Sequence, residues 1–277
     1  MGKDNHFTDE ELEELHQPKD GAEGKGCLIR HQPRTEDHQC SHQWQARVKA
    51  ESDDTVYNYP AYKKLCGSGK FKTAARTARS GNPFPRDYAD LINGDYMKER
   101  PTHEGKEWDL GKGRNFNHWL KPYWHNAHHI IPNTGLKRAI NDSADEYEDA
   151  RLPNIIRYCL LKGSYNLNDQ VNMIILPQGR VVAETLGLPR HLKGDEVGPD
   201  EKKEFFSHLD YSQNMKNKID KVIVEYVESL ESALENHPEP PTALSKSKLE
   251  RISRITYDSI KNIKPEDAGK ALSDLNL

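Results

Sequence analysis

The sequence predicts an α+β fold that is mainly helical. Apolar residues recur at three- and four-residue spacing through Ile219, Val222, Ile223, Tyr226, Val227, Leu230 and Leu234, the period of a helix with one buried face. A second stripe of the same period runs through Leu249, Ile252, Thr256, Ile260 and Ile263, with Ile255 beside it. Two apolar runs, Ile130-Ile131 before Pro132 and Met173–Leu176 before Pro177, are too short for helices and read as strands.

In chain order, residues 1–25 are acidic, with room for a short helix at Thr8–Leu15. That acidic stretch reads as an arm, and residues 26–60 are polar. Phe71–Arg79 and Tyr88–Met97 fit short helices separated by the breaker Gly81-Asn82-Pro83-Phe84-Pro85. Residues 101–124 mix glycine with Trp108, Phe116, Trp119, Tyr123 and Trp124, as a structured loop would. A strand ends at Pro132 and a helix follows from Leu136. Another helix spans Pro153 to Lys162, with proline at its start, where the missing N–H costs nothing. Asn172–Pro177 is a buried strand and Val181–Leu186 a helical turn. From Pro199 the pattern turns helical until Pro238, Pro240 and Pro241 stop it, and the two long stripes pack as an antiparallel pair.

With 277 residues and 34% hydrophobic content, the core is thin for its length. No apolar run is long enough to span a membrane. The first twenty residues hold no apolar stretch, so no secretory leader is expected. Four widely spaced cysteines do not form a disulfide framework. The expected location is the cytoplasm of the producing cell, with any secretion or delivery into a target cell proceeding without a signal peptide. The net charge of −4 argues against a general nucleic-acid binder. Its distribution argues otherwise: residues 61–138 hold 15 Lys/Arg against 7 Asp/Glu, net +8, and this stretch runs into a histidine cluster. A local basic patch steers a polyanion even on an acidic protein.

That cluster is Trp124-His125-Asn126-Ala127-His128-His129-Ile130-Ile131-Pro132. At a strand end, adjacent histidines divide labour: one imidazole binds a metal and the other takes a proton from water. Asn172 heads the second strand and His208 lies near the start of the long helix. A strand–strand–helix unit with these residues builds a compact metal site. One divalent ion and one imidazole base suffice for phosphodiester hydrolysis.

The blocks Ala127-His128-His129-Ile130-Ile131-Pro132, Leu167–Pro177 (LNDQVNMIILP) and His208–Ser212 (HLDYS) resemble the AHH family. These are nucleases of the HNH/endonuclease VII group with a ββα-metal fold, common as toxin domains of bacterial polymorphic toxins and secreted effectors. Over about residues 125–230 the resemblance implies a ββα-metal core; the short helices upstream and the two long stripes add a helical N-terminal extension and a C-terminal helical hairpin. It implies His128 and His208 as metal ligands and His129 as the general base. It implies Asn172 as the residue that hydrogen-bonds the His129 ring and fixes its tautomer. His191 matches a further histidine that touches either the scissile phosphate or the metal. One divalent ion is implied, Mg²⁺ first, with Mn²⁺, Ni²⁺ or Zn²⁺ as alternatives. The implied substrate is nucleic acid, DNA before RNA; the upstream Lys112, Arg114 and Lys121 are available to hold its backbone, though each alone also fits an ordinary surface cation. An immunity protein, and a delivery-system protein engaging the N-terminal half, are the expected partners. The chain then divides into a polar arm (1–55), a basic helical extension (56–120), the nuclease domain (121–236) and a C-terminal helix (237–277).

Other motifs carry less. Cys27, His31, His38, Cys40 and His42 match no zinc-finger spacing and read as polar residues of a docking arm. Gly67-Ser68-Gly69-Lys70 lacks the leading glycine, the Ser/Thr and the preceding strand of a phosphate loop. No serine stands in a G-x-S-x-G context. Phe116, Trp119 and Trp124 are available for base stacking but fit loop packing better. The alternative to an endonuclease is a non-catalytic nucleic-acid- or partner-binding protein that keeps the ββα fold, for which the acidic overall charge speaks.

Overall fold

The computed structural model describes residues 26–30, 40–53, 56–67, 116, 123, 125–191, 208–236 and 243–277. The predicted helices at Thr8–Leu15, Phe71–Arg79 and Tyr88–Met97 lie outside these residues, as do Lys112, Arg114 and Lys121. Among the described residues the fold is mainly helical α+β. Seven α-helices accompany a two-stranded antiparallel sheet. The helices are α1 (His42–Glu51), α2 (Tyr59–Gly67), α3 (Asn133–Glu146), α4 (Leu152–Lys162), α5 (Arg180–Leu186), α6 (Leu209–Asn236) and α7 (Ser247–Lys261). The strands are β1 (His125–His129) and β2 (Met173–Pro177), so β1, β2 and α6 follow in ββα order along the chain. None of the described helices is long and apolar enough to cross a membrane.

The described residues form two compact units, each built from three stretches of chain. The first draws on Met1–Gln45, His129–Met173 and Ser212–Thr256. Here α4 starts with Pro153 in its first turn. The α6 stripe buries Ile219, Val222, Ile223, Tyr226, Val227 and Leu230, as the periodicity requires. Thr256 Oγ1 lies 3.9 Å from Met215 Sδ, while Lys248 pairs with Glu225 at 2.6 Å. Residue numbers rise along one helix as they fall along the other, so α6 and α7 are antiparallel. The buried face of α7 is rotated slightly from the predicted stripe. Leu249, Ser253 and Thr256 are buried, whereas Ile252 is half-buried and Ile255 is exposed.

Of the segment expected as a polar arm (1–55), the structure describes residues 26–30 and 40–53, and several of these are buried. Cys27 N donates to Tyr165 O at 2.7 Å and Leu167 N donates to Cys27 O at 2.7 Å, a short parallel bridge. Gly26 permits this approach, because a Cβ there would lie 2.6 Å from Leu161 Cα. Cys40, Ser41 and His42 are buried as well. Composition misleads here because small polar and sulfur-bearing residues are buried through backbone hydrogen bonds, without an apolar stripe.

The second unit draws on Ala46–His128, Ile174–Tyr211 and Tyr257–Leu277. Ile175 N donates to the Tyr57 hydroxyl at 2.8 Å, and Tyr57, Phe116, Tyr123 and His125 stack edge to face around that point. Across both units Tyr57, Tyr62, Tyr123, Tyr165, Tyr211 and Tyr226 are almost solvent-free. Tyrosine thus supplies much of the core volume that the low aliphatic content withholds. Helix α5 ends at Gly187 with φ 69°, a left-handed conformation that only glycine adopts at little cost.

Asp53 accepts from the Tyr257 hydroxyl at 2.7 Å and faces Lys261 Nζ at 3.4 Å. Burial pushes its carboxyl up, but the Tyr257 hydroxyl, the Val56 amide and the Lys261 ammonium together hold it below the usual carboxylate range. A depressed folded value means the ionised carboxylate stabilises the fold above the unfolded value, near ~4. That contribution is lost as pH falls through the folded value. Asp53→Asn is expected to lower unfolding stability by about 1–2 kcal/mol at neutral pH and by much less at strongly acidic pH, measured by urea titration at both.

Candidate active site

Strand β1 sets the site. Alternation along a strand sends His128 and His129 into different surroundings. Both are nearly buried, at 3% and 7% exposure.

The His128 side belongs to the second unit. There His128, His191 and His208 each present a ring nitrogen, and all three nitrogens lie within 4.8 Å of one another. The rings meet edge to face, with centroids 5.0 Å apart for His128–His191, 4.8 Å for His128–His208 and 5.0 Å for His191–His208. His191 is fixed by its backbone, whose N–H donates to Pro177 O at the end of β2 at 3.0 Å. The preceding Arg190 is clamped by the C-terminal segment: Arg190 N donates to Lys270 O at 2.7 Å and Leu272 N donates to Arg190 O at 2.8 Å. His208 stands immediately before α6, one residue short of the helix, and is half-buried. Tyr211, on the first turn of α6, packs its ring on His128 at 5.2 Å. Burial pushes its phenol above the usual range, so it is a neutral wall of the cluster.

The cluster fits a cation. His128 Nε2 and His191 Nδ1 are buried nitrogen atoms that make no hydrogen bond, although both rings have other contacts. A buried, unsatisfied imidazole nitrogen costs free energy that a bound metal removes. His191 Nε2 lies 3.3 Å from Asn126 Nδ2. Turned by 180°, that amide accepts from Nε2–H and leaves the Nδ1 lone pair to a metal, the usual outer-shell partnership of a ligating histidine. Among the described residues this is the one group of three His, Cys, Asp or Glu side chains arranged to hold an ion.

The His129 side belongs to the first unit. His129 Nε2 lies 2.9 Å from Asn168 Oδ1. Asn168 Nδ2 donates to Ile29 O at 2.8 Å and contacts Cys27 Sγ at 3.2 Å. Since Ile29 O can only accept, the amide is fixed with Oδ1 toward the histidine. His129 Nε2 therefore carries the proton, and in the neutral ring Nδ1 is the proton-accepting atom. His42 stacks on His129, with centroids 5.3 Å apart and planes 27° from parallel.

The expected role of Asn172 is corrected. Its Oδ1 accepts from Ile131 N at 2.7 Å and from the Ser253 hydroxyl at 2.9 Å. Its Nδ2 donates to Ile131 O at 3.2 Å and to Leu167 O at 2.8 Å. All four hydrogen-bonding positions are taken by the turn after β1, the loop before β2 and α7, leaving nothing for His129. Asn168, Asn126, Tyr211 and His42 are neighbours of these histidines that sequence reasoning missed. Of these only Asn168 carried a signal, as the earlier asparagine of Leu167-Asn168-Asp169-Gln170-Val171-Asn172. Asp169 caps the following 3₁₀ turn through Val171 N at 2.9 Å, which separates the roles of the two asparagines. Phe116 packs on Tyr57, Tyr123 and His125, so it is a core residue. Lys112, Arg114, Lys121, Trp119 and Trp124 lie outside the described residues.

The family model for AHH, a nuclease family of the HNH/ENDO VII superfamily with conserved AHH, matches residues 110–254. The chain belongs to the AHH nuclease family. No curated protein and no solved structure matches it. As an AHH nuclease it is an endonuclease-type hydrolase of nucleic acid. Nucleases of this superfamily use a divalent metal, and His128, His191 and His208 form a cluster able to hold one.

Proposed function

We propose that the chain is a metal-dependent endonuclease that hydrolyses DNA, made as a bacterial toxin or secreted effector. The observation that carries the reading is the group His128, His191 and His208, with two buried nitrogens that make no hydrogen bond. These three would hold the ion. When bound, it would offset negative charge on the phosphoryl group and the leaving oxygen. His129 takes a proton from water at Nδ1, because Asn168 holds the proton of the ring at Nε2. His191 acts here as a third ligand, which is the metal branch of its two expected roles. Three imidazoles, with no carboxylate grouped with them among the described residues, favour Ni²⁺ or Zn²⁺ over the Mg²⁺ that the resemblance leads one to expect. Lys112, Arg114 and Lys121, in the +8 stretch, hold the backbone phosphates. The toxin reading rests on the family's common occurrence in toxins, and it brings an immunity protein and a delivery system engaging the N-terminal half.

The test is cleavage of plasmid DNA and of RNA by purified protein across Mg²⁺, Mn²⁺, Ni²⁺ and Zn²⁺. Cleavage is expected with at least one ion, to stop with EDTA, and to fall roughly 10²–10⁴-fold in His129→Ala. Expression of wild type should harm its host, while His129→Ala is tolerated. Binding that survives His128→Ala and His129→Ala, with no cleavage under any ion, would establish the non-catalytic alternative.

A further inference from the structure

We propose that Cys27 and Cys40 form a reversible dithiol–disulfide site whose oxidation loosens the Asn168 hold on His129. Both sulfurs sit on one asparagine turn. Cys27 Sγ is 3.2 Å from Asn168 Nδ2, and Cys40 Sγ is 4.0 Å from Asn166 Nδ2. The turn itself is tied by Asn168 N donating to Asn166 Oδ1 at 2.9 Å, and Cys27 pairs with Asn166 in the parallel bridge. Neither cysteine is in a disulfide, and both are buried. The thiols influence one another: contact with Cys40 and burial push Cys27 up, while contact with Cys27 brings Cys40 down. Cys40, the lowered member, is assigned the nucleophile and Cys27 the resolving thiol, the division that dithiol chemistry uses. Cys159 contrasts, with burial pushing its thiol up to about 12.

The oxidant must be small to reach buried sulfur, and hydrogen peroxide is the class that fits. The Cys40 thiolate attacks one peroxide oxygen, the O–O bond breaks, and a sulfenic acid forms as hydroxide leaves and takes a proton to become water. Cys27 sulfur then displaces the sulfenic oxygen, its thiol proton leaving with that oxygen as a second water. Two thiols and one peroxide become one disulfide and two waters. Bonding at about 2.05 Å draws Cys27 Sγ toward Cys40 and removes the S–H that donates to Ile29 O at 3.2 Å. Asn168 loses one of the two groups that orient its amide, and the His129 ring loses its fixed tautomer.

The last step rests on His129 being the base; the disulfide does not. Full-length protein is treated with hydrogen peroxide, then alkylated and mapped by mass spectrometry. The expected product is a Cys27–Cys40 cross-linked peptide, lighter by two hydrogens and reversed by dithiothreitol, absent in Cys40→Ser. If Cys27 and Cys40 remain separately alkylated, the proposal is overturned. In parallel, plasmid cleavage is expected to slow about tenfold on oxidation, to recover with dithiothreitol, and to be unaffected by peroxide in Cys40→Ser. A cross-link that leaves the rate unchanged overturns the coupling to His129. Protein that never cleaves nucleic acid in either state instead defeats the nuclease reading, and the peptide map still decides the disulfide.

Discussion

His191→Ala is expected to lose divalent metal as completely as His128→Ala, each weakening Ni²⁺ or Zn²⁺ binding at least ~100-fold in calorimetric titration, about 2.7 kcal/mol. The cluster offers three imidazoles, so removing one leaves two. His191 is held through its backbone. Its N–H is bonded to Pro177 O, and its neighbour Arg190 is strapped by Lys270 and Leu272. A ligand on such a backbone loses little entropy on binding, so its removal forfeits nearly the whole of its contribution. The competing role, contact with the scissile phosphate, gives a different result: unchanged metal affinity with a raised KM for DNA. The thermal midpoint without metal separates either outcome from unfolding. His191→Ala gives up the Asn126 contact and the ring packing on His128 and His208, so the apo form is expected to lose about 1–3 kcal/mol, a loss that is present with or without metal.

The chemistry of this site was more legible in the sequence than its support. His128, His129 and His208 stand in blocks whose residues carry a recognisable pattern, and the α6 stripe follows from periodicity alone. The grouping of His191 with His128 depends on a backbone bond to the end of β2 and on a strap from the C-terminal segment. Nothing near His191 in the sequence announces either. The packing of residues 26–30 was equally hidden. Their burial comes from main-chain hydrogen bonds to Tyr165 and Leu167 and from a glycine that admits close approach, and none of these leaves an apolar signature. The thin core implied by the composition is real in aliphatic terms. Buried tyrosines compensate for it, and a count of aliphatic residues does not register them.

Asn168 and Asn172 should fail in opposite ways. Asn168→Ala removes the acceptor at 2.9 Å from His129 Nε2, and the ring is then free to place its proton on either nitrogen. Half-populated tautomers and a rotating ring cut the fraction of molecules able to take a proton at Nδ1. The expected result is roughly a 10²-fold fall in kcat, with KM for DNA and metal affinity nearly unchanged. Some stability is lost too, because Ile29 O gives up one of its two donors, but that loss appears in unfolding curves and not in the kcat-to-KM split. Asn172→Ala, by contrast, strips four hydrogen bonds from a side chain that is 1% exposed. It leaves Ile131 N without its acceptor, turns the Ser253 hydroxyl back on the longer contact to Leu249 O at 3.4 Å, and removes a donor from Ile131 O and Leu167 O. The expected cost is about 2–4 kcal/mol in urea unfolding. At temperatures where the variant stays folded, its kcat should remain within about tenfold of wild type. Were Asn172→Ala instead to fold normally and lose turnover, the tautomer role would return to Asn172. The amide orientation deduced from Ile29 O would then be wrong.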